Sequence, residues 1–146
     1  MAQSVPTVLV VDDDPGVRSL VVMAVERSPV PCEVDEADSL AAVVERLDQA
    51  ASGEAPWPAL MLLDLHLHGE DGLEALDHLR RATAGVRHVP VVVLSGTSSP
   101  AERLRSYARG ASGFAVKPMG FQRLRDLLDP VLAYWLELMA PDAGRR

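Results

Sequence analysis

Four groups of reactive side chains each follow directly on an apolar run. Asp12-Asp13-Asp14 follows Val8–Val11, and Asp64 follows Ala59–Leu63. Ser95-Gly96-Thr97 follows Pro90–Leu94, and Lys117-Pro118 follows Gly113–Val116. Carboxylates, a hydroxyl and an ammonium form a usable set if the fold brings them together. Carboxylates gathered at one place repel: at an effective dielectric of ~20, each pair about 4 Å apart costs on the order of 4 kcal/mol. A cation offsets that cost, and an all-oxygen, carboxylate-rich, partly solvated ligand set suits Mg2+. Metal, Lys117 and Ser95 together would bind phosphoryl oxygens, and a central carboxylate would act as a nucleophile to give an aspartyl phosphate.

The elements that must position these groups follow from the apolar pattern. The runs are continuous and rich in Val and Leu, as strands buried on both faces are. Between them lie stretches of helical period. Val17, Leu20, Val21 and Ala24 form one stripe, with Asp14 as N-cap and Pro15 at the first helical position. Leu40, Val43, Val44 and Leu47 form a second stripe, and Leu73, Leu76 and Leu79 a third, opened by a capping box at Asp71 and Glu74. Ser99-Pro100-Ala101-Glu102 is a further capping box, opening a helix that stops at Gly110. Glu33–Glu36 reads as a weaker strand. The last stripe runs from Phe121 to Leu138, and the interior Pro130 predicts a kink or restart capped by Asp129. Five strands alternating with five helices predict an α/β fold, a parallel sheet with helices on both faces. In such sheets the ligand crevice lies beyond the carboxyl ends of the strands, where strand order reverses. With order 2-1-3-4-5, Asp12 and Asp13 meet Asp64 there, and Ser95 and Lys117 stand on the same rim.

The whole-chain figures limit the alternatives. The chain has 146 residues, a single-domain length, with 48% hydrophobic and 24% charged residues. Its formal net charge of −7 argues against nucleic acid as the main partner and against an anionic membrane surface. Cys32 is the only cysteine, which excludes a disulfide framework and a cysteine zinc site. With no signal-like start and no apolar run near the ~20 residues of a membrane span, a cytoplasmic location is expected.

Five segments together resemble the response-regulator receiver domain of two-component signalling. They are Val8–Pro15, Leu62–His66, Gly69–Gly72, Leu94–Gly96 and Gly110–Pro118. The resemblance covers residues 6–130, leaving 131–146 as a helical extension and not a separate domain. It implies a flavodoxin-like doubly wound five-stranded sheet and phosphoryl transfer from a histidine kinase. By position it implies Asp64 as phosphoacceptor, with Mg2+ held by Asp13, Asp64 and the backbone carbonyl of His66, and by Asp12 largely through water. It further implies Ser95 as switch hydroxyl, Lys117 as phosphate partner and Phe114 as switch aromatic. Such a domain is a signalling switch with self-catalysed phosphotransfer, not a turnover enzyme. Arg105-Ser106-Tyr107 and Ala133–Pro141 resemble the small single-domain regulators that partner bacterial phytochrome histidine kinases. That likeness implies a light-sensing kinase partner and a homodimer.

The chain departs from the family pattern at His68, where Pro is usual, and at Phe114, where Tyr is commoner. His66 stands two residues past Asp64, a position that tunes phosphoryl lifetime in this family. The competing enzyme reading takes Asp12 as the nucleophile of a haloacid-dehalogenase-type phosphatase. It lacks a late acidic pair and room for a cap domain. A docking module that works without phosphorylation is a third reading. Plainer roles stand beside these: Asp14 as a helix cap only, His66 and His68 as solvated loop residues, Trp57 as loop packing. Tyr134, Trp135, Leu136, Leu138 and Met139 are too apolar all round for a lone surface helix, which predicts a covered face and hence the dimer.

Overall fold

The computed structural model describes residues 5–67, 70–83 and 89–138. In chain order its elements are β1 (Thr7–Val11), α1 (Pro15–Glu26), β2 (Glu33–Ala37), α2 (Leu40–Ala51) and β3 (Leu60–Asp64). Two-residue strands β4 (His66–Leu67) and β5 (Glu70–Asp71) come next, then α3 (Leu73–Thr83) and β6 (Val91–Ser95). The chain continues through α4 (Pro100–Ala108), β7 (Gly113–Val116), α5 (Phe121–Ala133) and a π-helical turn over Tyr134–Leu138.

Five strands make one parallel sheet in the order β2-β1-β3-β6-β7. Counted among themselves these are 2-1-3-4-5, the expected flavodoxin-like α/β arrangement. β1, β3 and β6 are buried throughout, which explains their unbroken apolar runs. Successive strand residues face opposite ways, so each strand feeds two cores. Leu9, Val11, Met61, Leu63, Val91 and Val93 meet Val43 and Leu47 of α2 and Leu76 and Leu79 of α3. Val8, Val10, Leu60, Leu62, Val92 and Leu94 meet Val21 and Val25 of α1 and Leu124 and Leu128 of α5. Trp57 packs at the margin of the first core, as expected of a loop aromatic.

The helix starts show which caps the chain uses. Asp14 Oδ1 accepts from the N–H groups of Gly16 at 2.9 Å and Val17 at 3.1 Å. Ser39 and Ser99 cap α2 and α4 in the same way. α3 opens at Leu73, directly after Gly72, and the backbone of Asp71 lies in β5.

The C-terminal segment corrects two expectations. α5 runs through Pro130 to Ala133 with no restart at Asp129. The N–H that proline lacks would have bonded the Asp126 carbonyl, and both residues are exposed, where water can satisfy it. Leu136 is buried and Trp135 partly so, both against the α1/α5 core. The buried positions are Leu124, Leu128, Leu132 and Leu136, every fourth residue. In a 3.6-residue helix that spacing drifts around the axis, and a wider π turn at the end brings the fourth member back. Tyr134 and Leu138 remain exposed. His68 and Met139 lie outside the described residues. No helix among the described residues is long and apolar enough to cross a membrane.

Candidate functional site

The carboxyl ends of β1, β3, β6 and β7 form one rim. Asp12 and Asp13 leave the sheet after β1, and Asp64 is the last residue of β3. Register pairs Asp64 with Leu94, so Ser95 lies one step further along the neighbouring strand. Ser95 in turn pairs with Val116, and Lys117 follows it. The Lys117 N–H donates to the Ser95 carbonyl at 2.7 Å, extending that ladder to the lysine.

Asp12, Asp13 and Asp64 each offer a carboxylate oxygen, and these lie within 4.8 Å of one another. Asp12 is 3% exposed and Asp64 7%. Lys117 Nζ bridges them, 3.3 Å from Asp12 Oδ2 and 3.5 Å from Asp64 Oδ1. Asp12 Oδ1 also accepts from the Asp14 N–H at 3.0 Å. Burial pushes the Asp64 carboxyl above the ordinary carboxylate range; Lys117 opposes this and Asp12 adds to it. The His66 backbone N–H, bonded to Asp64, opposes it as well. Among the described residues, Lys117 thus pairs with two of these three carboxylates. The all-oxygen donor set and its surplus negative charge fit a hard divalent cation such as Mg2+.

Steric fit fixes the loop beyond Asp64. The Gly72 N–H donates to the Leu65 carbonyl at 2.7 Å. A Cβ at Gly72 would lie 2.7 Å from the carbonyl oxygens of Asp64 and Leu65 and from the Leu65 Cα. Only glycine lets the start of α3 approach the Asp64 backbone this closely. His66 pairs with Asp71 across the small β4–β5 ladder, and its side chain is exposed.

The remaining expected residues are placed differently. Ser95 is fully buried, but its hydroxyl is turned to Glu102, donating to Oε1 at 3.0 Å. Phe114 is half-buried and packs against the core formed with α2 and α3. Two participants escaped the sequence reading as site residues. Glu102 was legible only as the second half of a capping box. Arg18 donates to the Asp12 carbonyl at 2.8 Å and pairs with Glu36 at 2.9 Å. Its signal was its place one turn into α1, on the side facing β2.

The arrangement does not favour Asp12 as a nucleophile. It is the more buried of the two inner carboxylates, and both of its oxygens are already engaged by Asp14 and Lys117. Asp64 lies at the middle strand of the rim, between the acidic pair and the hydroxyl strand.

The chain is similar to known proteins over most of its length. The family description "response regulator receiver domain" matches residues 8–129. The phosphate regulon transcriptional regulatory protein PhoB of Escherichia coli K12 is 32% identical over 118 residues, covering 80% of this chain. The match takes in 47% of PhoB, so this chain spans about half the length of that relative. Among solved structures, the phosphorylated cyanobacterial phytochrome response regulator RcpA superposes with a TM-score of 0.80 at 26% identity, covering 92% of this chain and 96% of that one. The Mn(2+)-bound form of response regulator Rcp1 superposes with a TM-score of 0.76 at 26% identity, covering 90% and 95%.

Proposed function

This chain belongs to the response-regulator receiver family, and from that membership we propose that it accepts a phosphoryl group on Asp64 from a sensor histidine kinase and thereby switches its protein contacts. The observation that carries the reading is the convergence of Asp12, Asp13 and Asp64 with Lys117 as the bridging ammonium. In the transfer, Asp64 Oδ attacks the phosphorus of a phosphohistidine. A P–O bond forms, the P–N bond breaks, and the imidazole leaves with the bonding pair. Lys117 neutralises a phosphoryl oxygen, and Ser95 donates its hydroxyl to another. Asp12, Asp13, Asp64 and the His66 carbonyl would hold Mg2+, which supplies the positive charge that phosphoryl transfer needs. The added charge draws Ser95 inward and lets Phe114 repack. The receiver unit spans 6–130, with 131–146 as its helical extension.

The kinase is proposed to be of the phytochrome type. The likeness to RcpA over 96% of its length supports this, as do the segments Arg105–Tyr107 and Ala133–Pro141. A cytoplasmic location follows from such a partner and suits the lone, half-buried Cys32. A homodimer through the C-terminal helix is part of the same reading. Exposed Tyr134 and Leu138 would be its anchors, a smaller patch than the whole apolar segment.

Labelling with acetyl phosphate and Mg2+ tests the site. Asp64→Asn should abolish it and keep the fold. Labelling that survives in Asp64→Asn but disappears in Asp12→Asn would overturn the assignment in favour of a phosphatase. Labelling from phosphorylated histidine kinases, a phytochrome kinase in both light states among them, tests the partner. Sedimentation tests assembly: a monomer at tens of micromolar, with or without a phosphoryl analogue, removes the dimer.

A further inference from the structure

Glu102 sits in the first turn of α4, where Ser99 Oγ accepts its N–H at 3.3 Å. In a reciprocal capping box its carboxylate would turn back to the cap residue. It turns to the rim. Oε1 accepts from Ser95 Oγ at 3.0 Å and from Thr97 Oγ1 at 3.0 Å, while Oε2 lies 3.5 Å from His66 Nε2. Ser95 also accepts the Thr97 N–H at 3.1 Å. A serine hydroxyl has one proton to give. Here that proton goes to a carboxylate on α4, inside a fully buried position. A phosphoryl oxygen on Asp64 requires the same proton, and two anions cannot share it.

We propose that Glu102 is a positioning residue that holds the Ser95 hydroxyl away from Asp64 in the unphosphorylated protein, so that phosphorylation has to take Ser95 from it. This rests on the phosphoacceptor reading of Asp64. The exchange has a mechanical consequence. Glu102 loses the bond that ties the first turn of α4 to the end of β6, and the incoming phosphoryl charge repels its carboxylate. The backbone carbonyl of Glu102 accepts from Ser106 Oγ at 2.7 Å, so displacement of the first turn is passed to the next one. The switch from site to surface thus runs through one proton changing acceptors.

The test is a double-mutant cycle on the full chain, read as the fraction phosphorylated on Asp64 at a fixed acetyl phosphate and Mg2+ concentration. Glu102→Ala should raise that fraction, at sub-saturating donor, by about threefold or more. Glu102→Gln, which keeps an acceptor but no charge, should give a smaller rise and guards against a folding defect of the alanine variant. In a Ser95→Ala background both rises should shrink clearly, because the hydroxyl they release is gone and only the relief of charge repulsion remains. A merely structural role of Glu102 would act equally in both backgrounds, and that result overturns the proposal. So does an unchanged fraction in both Glu102 variants while Asp64 of the parent chain is labelled. A parent chain that takes no label on Asp64 fails one step earlier, at the phosphoacceptor reading, and takes this proposal with it.

Discussion

Helices α4 and α5 lie on neighbouring parts of the same molecule and are held by opposite means. α5 buries Leu124, Leu128 and Leu132 against the sheet and packs beside α1. α4 buries one residue, Ser106, and leaves Leu104 67% exposed and Tyr107 exposed as well. What secures α4 is polar: the Ser99 cap, the Glu102 bonds to Ser95 and Thr97, and an Arg109–Asp77 pair at 2.9 Å. Apolar contacts are indifferent to a charge arriving at the rim, whereas these hydrogen bonds are not. The part of the fold that can respond to chemistry is therefore the part with least buried apolar area.

The largest test of this contrast is stability on truncation. Leu128→Ala, at a position with 0% exposure, should cost about 2–5 kcal/mol in urea unfolding. Leu104→Ala in α4 should stay within about 0.5 kcal/mol of the parent. Equal losses would mean that α4 is packed as firmly as α5. Amide hydrogen exchange sharpens the contrast without mutation: α4 should exchange at least about 100-fold faster than the middle of α5, a difference of roughly 2.7 kcal/mol in opening free energy. Similar protection would erase the distinction. The smallest effect concerns the rim that joins the two regions. Because burial raises the folded Asp64 carboxyl above its unfolded value, its ionised form opposes folding. In metal-free buffer that contribution should be regained as pH falls through the raised value, and lost as pH rises through it. Asp64→Asn should lack this pH-dependent component and at neutral pH melt higher than the parent chain. A lower melting temperature would show that the Lys117 pair outweighs the burial.

Much of this is legible in the sequence. Val8–Val11, Leu60–Leu63 and Val91–Leu94 announce buried parallel strands because both of their faces are apolar, and the acid, hydroxyl and lysine at their ends then have only one rim to share. The pieces that escaped are short or depend on rotamers. β4 and β5 have two residues each, too few for any period to register. Pro130 signals a break by its chemistry, but its exposure makes the missing hydrogen bond harmless. Glu102 fits a capping box by spacing, and only the competing hydroxyls of Ser95 and Thr97 decide where its carboxylate goes. The burial of Leu136 comes with the π turn over Tyr134–Leu138, which a 3.6-residue apolar period does not encode.

Lys117 has a consequence for the protein's acylation chemistry. It is the only lysine among the 146 residues, beside thirteen arginines. Its side chain is 20% exposed and its ammonium is held between Asp12 and Asp64. Apart from the α-amino group, an amine-acylating reagent therefore has a single target, and that target is part of the rim. Acetyl phosphate carries an acyl group as well as a phosphoryl group, so long incubations with it can neutralise Lys117 while they phosphorylate the proposed acceptor, Asp64. The rate at which this one ε-amine is acylated, read against the N-terminal amine as an internal standard, becomes a direct gauge of whether the rim is closed on its lysine or has let it go.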